Sequence, residues 1–255
     1  MFTPADIRRT RDHAPSNFET LLLSVTSRLI ILKNHPSFPD PELAPDRDAL
    51  NCIRILTRVL PFVYEAEHLE EWEEKFFWAR RKKKTRQAQV AAQVLFDEAQ
   101  TEERRSPGSP RPDDLEDVKP LAEELIDTLL DLLFYANFTI PKLSTAKGKV
   151  SYSIWQSGVG CNTAMGSSKE LENNRCEVLR LLLTLTGKAM YMPLGRSGRP
   201  GRFTLADVPG LLPVQGVKAI SYITTCSDKQ PVLTLLCSLL NTVCAEFLIS
   251  LGTKT

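Results

Sequence analysis

Apolar residues recur along this chain at helical spacing. Phe18, Leu21, Leu22, Val25, Leu29 and Leu32 follow one stripe, and Ser16 followed by Glu19 has the form of a capping box at its start. Cys52, Ile55, Leu56, Val59, Leu60 and Val63 repeat the pattern; Pro61 lacks a backbone donor and is expected to kink or shorten that helix. Asp117 and Pro120 signal the start of a third helix, lined by Leu121, Leu125, Leu129, Leu132 and Leu133. Ser167 and Glu170 open a fourth, with Leu179, Leu182, Leu183, Thr186 and Met190 on one face and Pro193 with Gly195 as its stop. The last begins at Pro231 and carries Val232, Leu235, Leu236, Leu239, Leu240, Val243 and Phe247.

Strand signals are nearly absent. The best, Val217 to Thr225, reads equally as a short strand or as the start of a helix. Amphipathic helices in series without a βαβ rhythm predict an all-α fold. No fixed repeat period emerges, so the expected architecture is irregular stacked helix pairs, an α-solenoid-like arrangement in which each stripe is covered by a neighbour. The chain, 1–255, reads as a single helical region. Two stretches interrupt it: a charged, proline-containing linker at 97–117, expected to be mobile, and a Gly/Pro-rich loop at 193–216, expected to be disordered or an insertion.

Composition narrows the function. Lys and Arg total 32 against 31 for Asp and Glu, so the net charge of +1 creates no overall field for a polyanion, and any electrostatic contact must be local. The six cysteines, at 52, 161, 176, 226, 237 and 244, form no CxxC pair and read as reduced thiols of a cytosolic protein. His13, His35 and His68 lack metal-ligand spacing, so no metal is expected. The first dozen residues carry alternating charges rather than the apolar run of a signal peptide. Val232 to Leu251 has the length of a membrane span, but Asn241, Glu246 and several hydroxyls make a buried core helix the better reading.

The most enzyme-like string is GVGCNTAMGSSK, Gly158 to Lys169. A phosphate loop has four residues between its glycines and a lysine directly after the second; here five separate Gly160 from Gly166, and Lys169 comes late. A glycine-containing loop leading into the next helix explains the string better, and nucleotide binding there is kept as the alternative. Adjacent carboxylates such as Glu73 and Glu74 point in different directions on a helix, and no GxSxG turn occurs, so neither catalysis nor a cofactor is expected.

The stretch EHLEEWEEKFFWARRKKK, Glu67 to Lys84, runs from carboxylates through aromatics into five consecutive basic residues. Leu69, Trp72 and Phe76 share a helical face, Glu71 and Lys75 stand at i, i+4, and the sorted charges suit the two ends of one helix dipole. Alternatively Arg80, Arg81, Lys82, Lys83, Lys84 and Arg86 contact anionic lipid headgroups or a partner, with Phe77 and Trp78 as interfacial anchors. Nucleic-acid binding through Arg80 to Arg86 ranks behind this, because one short basic run lacks the spread of phosphate contacts a binding module uses.

Long collinear segments carry a resemblance: PADIRRTRDHAPSNFETLLLSVTSRL (4–29), ALNCIRILTRVLPFVYE (49–65), EEKFFW (73–78), PLAEELIDTLLDLLFYANFTIP (120–141), YSIWQSGVGC (152–161), LRLLLTLTGKAMYMP (179–193) and CSLLNTV (237–243). Together they resemble the high-temperature-induced dauer formation protein family, related to dymeclin, and are most similar to its fungal members. The resemblance implies a helical, cytoplasmic scaffold peripherally associated with Golgi membranes. It would act in vesicle-mediated transport and sorting in the secretory pathway, with a Golgi or vesicle surface and proteins as partners, no small-molecule substrate and no enzymatic activity. It also implies that the chain is the N-terminal part of a longer protein. Some relatives begin Met-Gly and are expected to be myristoylated; this chain begins Met1-Phe2, and no acyl anchor is carried over. Beyond Val243 the sequence departs from the family's continuation, as a truncated or mis-spliced reading of the gene would.

Overall fold

Thr3 opens the first helix with a reciprocal capping box: the Asp6 amide donates to the Thr3 hydroxyl at 3.3 Å, and the Thr3 amide donates to the Asp6 carboxylate at 3.0 Å. This helix, α1 (Pro4–His13), is mostly polar, so its apolar periodicity is too weak to announce it in the sequence. The computed structural model describes residues 3–84, 115–142, 148–192, 217–225 and 228–252. Over these residues the protein is an all-α fold of stacked helices with one small two-stranded ribbon.

The second helix, α2 (Pro15–Asn34), starts on proline and has no side-chain cap. The expected box of Ser16 and Glu19 is therefore replaced. Glu19 instead accepts from the Trp72 indole N–H at 3.2 Å, a contact with a remote segment that outcompetes the local one. Phe18, Leu22, Thr26, Leu29 and Leu32 face inward and Leu21 faces out. In α3 (Asp46–Tyr64) the inner face is Cys52, Ile53, Leu56, Val59, Leu60 and Val63, and the helix passes Pro61 before stopping at Tyr64. Arg11 of α1 reaches its end, donating to the Phe62 carbonyl at 2.6 Å and to Glu65 at 2.9 Å, which satisfies a carbonyl of the last turn.

The stretch from Glu67 is not one helix. It runs as a 3-10 turn (Glu67–Leu69), a short α4 (Glu70–Glu73) and a π-helical turn (Glu74–Trp78), and then straightens. Arg81–Lys84 form β1, antiparallel to β2 (Leu115–Val118), in the register Arg81 to Val118, Lys82 to Asp117, Lys83 to Glu116 and Lys84 to Leu115. The expected placement of the basic run at a helix C-terminus is corrected here. Lys82 and Lys83 are registered against Asp117 and Glu116, the cross-strand arrangement that opposite charges favour, and the partner strand is too distant in sequence for a local reading to see. Residues 115–117 of the expected linker thus belong to a strand; its remainder and the loop at 193–216 lie outside the described residues.

The third expected helix is α5 (Leu121–Leu132), and Leu121, Leu125, Leu129, Leu132 and Leu133 are all buried. The next, α6 (Lys169–Thr186), is capped by Ser168 rather than Ser167 and ends at Gly187, before Pro193. Its inner face is Asn174, Val178, Leu181, Leu182 and Leu185, rotated from the expected stripe so that Leu183 and Met190 are exposed. Val217–Thr225 is a helix, α7, which settles the choice left open by its pattern. The last is α8 (Gln230–Gly252).

In the core α3 lies between α2 and α6, while α5 touches α2, α6, α7, α8 and the π-helical turn. Phe38 packs edge-on to Tyr135, their centroids 5.0 Å apart, and Phe134 lies between Tyr152 and Trp155. Those contacts bring the chain after α5 back against the core and position the Gly158 loop beside α8.

Candidate functional site

The orientation of α8 decides what the Gly158–Lys169 string can do. Its buried positions are polar: Thr234, Ser238 and Asn241 turn inward beside Leu235, whereas Leu233, Leu236, Leu240 and Val243 face out. This splits the expected core stripe: Leu235 is buried and Val232 packs against the core, while Leu236, Leu239, Leu240 and Val243 are exposed. The polar side is held because Ser238 and Asn241 find partners on the loop, while the Thr234 hydroxyl donates to the Gln230 carbonyl of its own helix. Ser238 Oγ accepts from the Trp155 amide at 3.3 Å, and Asn241 Oδ1 accepts from the Val159 amide at 2.8 Å. The Asn241 side-chain nitrogen donates to the carbonyls of Gln156 at 2.9 Å and Val159 at 3.2 Å. Burying polar groups is tolerable only when they are paired in this way.

Gly158 explains its own presence there. Its φ is +144°, and a Cβ added to it would lie 2.5 Å from Asn241 Oδ1. A phosphate cradle aims free backbone N–H groups at its ligand. In this loop the Val159 amide is spent on Asn241, the Gly158 and Cys161 amides are exchanged across a turn, and exposed Lys169 begins α6.

The basic run is split by the fold. Phe77 is 3% exposed and packs in the core, so its ring is not at the surface to meet a membrane or a partner. Trp78 is half-buried and lines a cavity, while Arg80 is exposed. The Arg81 guanidinium donates twice to the Lys119 carbonyl, at 3.2 and 3.0 Å, and pairs with Glu124, tying the ribbon to the first turn of α5. Lys82, Lys83 and Lys84 continue β1, and Arg86 lies outside the described residues.

Sequence reasoning missed the charged groups at that cavity, which measures about 140 Å³. Glu73 and Lys188 form a buried ion pair at 2.7 Å against the Tyr64 ring, with Phe77, Trp78, Leu185 and Ala219 around them. Burial raises the Glu73 carboxyl above its ordinary range while Lys188 pulls it down, and burial also pushes up the Tyr64 phenol, assisted by Glu73. Nothing local marks Glu73 among five nearby glutamates; only the return of the chain after α6 brings Lys188 to it.

A wider cleft of about 400 Å³ lies among α5, α7 and the start of α8. There the Tyr222 hydroxyl donates to Asp127 at 2.8 Å, Lys119 pairs with Asp127 at 3.0 Å, and Tyr152 donates to Asp131 at 2.7 Å. These groups satisfy one another and hold the helices together. Among the described residues no group of three or more His, Cys, Asp and Glu is placed to hold a metal ion, and no helix is long and apolar enough to cross a membrane.

Comparison with known proteins adds a family. The model described as High-temperature-induced dauer-formation protein matches residues 1–248. The Ubp5-interacting protein ftp105 of Schizosaccharomyces pombe is 36% identical over 94% of this chain and 29% of its own length. A Hid-1 family protein of the same yeast is 28% identical over 93% of the chain and 24% of its own length. Protein HID1 of Homo sapiens is 30% identical over 74% of the chain and 22% of its own length. The chain therefore spans less than a third of each of these relatives. No solved structure matches it.

Proposed function

This chain belongs to the high-temperature-induced dauer-formation protein family, and on that footing we propose that it is a non-catalytic helical scaffold or adaptor of Golgi-associated vesicle trafficking and protein sorting. The observation that carries the reading is the collinear family match over residues 1–248. Two further observations favour binding over catalysis. The Glu73–Lys188 and Lys119–Asp127 pairs engage charged groups of the two cavities, and the Val159 amide of the Gly158 loop is committed to Asn241 rather than to a phosphate. One relative is named for an interaction with another protein, Ubp5, which favours protein partners for this chain as well.

Within that function the contact surface is exposed Arg80 with the ribbon strand of Lys82, Lys83 and Lys84, at the cytoplasmic face of a Golgi or vesicle membrane. Arg81 holds the ribbon to α5, and Phe77, four residues before it, is buried in the core. Anionic headgroups attract each basic residue near their surface by about 1 kcal/mol, a modest anchoring that a protein partner would complete. The test is to image a fluorescent fusion of the protein against a trans-Golgi marker, wild type beside a variant with Arg80, Lys82, Lys83 and Lys84 all changed to Ala. Overlap with the marker that becomes diffuse in the variant is the expected result; a diffuse wild type overturns the reading.

A further inference from the structure

Arg175 of α6 is an inward-turned guanidinium without a counterion. Among the described residues the arginines that form no ion pair with a carboxylate are Arg9, Arg47, Arg58, Arg80 and Arg175, and all of these except Arg175 are exposed. The Arg175 Cζ stands 4.5 Å from the centroid of the Trp155 ring, and its Nη2 donates to the Thr139 carbonyl at 3.1 Å and to the Ser167 hydroxyl at 2.9 Å. Its Nε is buried with no partner, as is the indole nitrogen of the Trp155 ring it covers. Burial pulls this guanidinium below its ordinary pKa, and exposed Glu172 offsets that without forming an ion pair. Nε and Nη2 share one edge of the group, the edge with which Arg8 grips both carboxylate oxygens of Glu65 at 2.6 and 2.8 Å. An anion with several oxygens at Ser167 meets the corresponding edge of Arg175.

Ser167 is also open to modification. It is exposed together with Gly166 and with Ser168 to Glu170, and residues 164–168 have no regular secondary structure, so the segment can be taken up by an enzyme in extended form. Ser168 is committed elsewhere, because its hydroxyl accepts from the Leu171 amide at 3.3 Å as the N-cap of α6. A phosphate on Ser167 lies just before that cap, at the positive end of an 18-residue helix, with the Lys169 charge two residues on. Glu170 and Glu172 oppose it from the first turn, so the buried cation of Arg175 decides whether a dianion is stable there.

We propose that Ser167 is a phosphorylation site and that Arg175 receives its phosphate. The Ser167 Oγ bonds to the γ-phosphorus of a nucleoside triphosphate on a protein kinase. The bond from that phosphorus to the bridging oxygen breaks, the nucleoside diphosphate leaves, and the hydroxyl proton passes to a base of the kinase. Glu170 and Glu172, three and five residues after Ser167, suit a kinase with a basic substrate groove. Once attached, the phosphate supplies the counterion that Arg175 lacks and fastens Ser167 to α6. It thereby tightens the loop that holds Asn241 of α8 at its other end.

The full 255-residue chain is incubated with ATP and an acid-directed protein kinase and its phosphates are mapped by mass spectrometry; modification of Ser167 is expected. The chain is also made with phosphoserine encoded at position 167. Its unfolding temperature at neutral pH is expected to exceed that of the unmodified chain by about 3 °C or more, and the rise to vanish in Arg175→Gln. Phosphorus NMR supplies a readout that holds even if Arg175→Gln fails to fold. The second ionisation of the phosphate is expected about one pH unit lower in the folded chain than in the same chain in urea, because the guanidinium favours the dianion. No phosphate at Ser167, or phosphate at Ser168 in its place, overturns the proposal. So does a rise that survives in Arg175→Gln, or an ionisation unchanged by folding. An equal, Arg175-dependent rise with inorganic phosphate on the unmodified chain would assign the site to free anions and overturn it as well.

Discussion

Asn241 on α8 closes over Gly158 so tightly that the missing glycine side chain is part of the contact: a Cβ there would sit 2.5 Å from Asn241 Oδ1. Gly158→Ala must therefore push the Asn241 amide away from three backbone groups, besides straining a φ of +144°. Asn241→Ala removes the same bonds from the other side and leaves the Val159 N–H unpaired, at a cost of about 1–3 kcal/mol. Because both changes break one contact, the double variant is expected to lose less than the two single losses added together. Thermal unfolding of the three variants measures this. Strict additivity would mean that the contact does not hold the loop. Lys169→Ala, at an exposed helix start, is expected to stay within about 0.5 kcal/mol of wild type.

The same contact separates what the sequence could reveal about α8 from what it could not. Periodicity groups Leu236, Leu239, Leu240 and Val243 correctly on one face but wrongly adds Leu235, which is buried, and it cannot say which face is inward. The inward choice depends on whether Ser238 and Asn241 find partners, and those partners lie some eighty positions earlier in the chain. In α5 no such competition exists, and the leucine stripe and the buried face coincide. On α6 the reading fails by a rotation, because Asn174 turns inward to donate to the Phe138 carbonyl at 2.9 Å and Leu183 is left outside. The basic run was visible as a charge feature. Its strand conformation was not, since β2 comes from a separate part of the sequence.

Lys188→Met tests the buried pair. Removing one partner leaves Glu73 in a site where burial already raises its carboxyl. Breaking such a pair costs about 3–5 kcal/mol, whereas replacing both charges with neutral groups is close to neutral. Lys188→Met is thus expected to be far less stable than wild type at pH 7, and Glu73→Gln with Lys188→Met to recover most of the loss. Chemical denaturation at that pH compares them. The single variant should also regain stability as the pH falls, because protonation removes the uncompensated charge; a pH-independent defect would contradict this account.

Acid should loosen the attachment of α1. Glu65 accepts from Arg8 at 2.6 Å and from Arg11 at 2.9 Å, and these bonds hold its carboxyl below the ordinary value of 4.5. For a depressed carboxylate the stabilisation is fully present above the unfolded value and disappears as the pH falls through the folded one. Wild type is therefore expected to exceed Glu65→Gln in stability at neutral pH and to converge with it below the depressed folded value. Melting temperatures of both proteins across the acid range provide the measurement. A constant difference down to the lowest pH would show that the ionised form of Glu65 is not what joins α1 to α3.

Phe77 and the neighbouring basic residues are expected to fail in different ways. Phe77 packs edge-on against Phe76 and Trp72, with centroids 4.8 and 6.3 Å away, and beneath it lies the Glu73–Lys188 pair. Phe77→Ala opens a cavity in a site that cannot collapse freely and is expected to cost about 3–5 kcal/mol. Neutralising Arg80, an exposed residue with no core role, is expected to leave stability within about 0.5 kcal/mol. Arg81→Ala falls between them, since it removes two bonds to the Lys119 carbonyl and the pair with Glu124 and so releases the ribbon from α5. Urea unfolding ranks the three, and vesicle flotation with anionic lipid is run on the variants that remain folded. A loss of flotation in Arg80→Ala at unchanged stability assigns the contact to charge at the surface. Equal losses of stability in Arg80→Ala and Phe77→Ala would instead place Arg80 in the core scaffold and remove it from the contact surface.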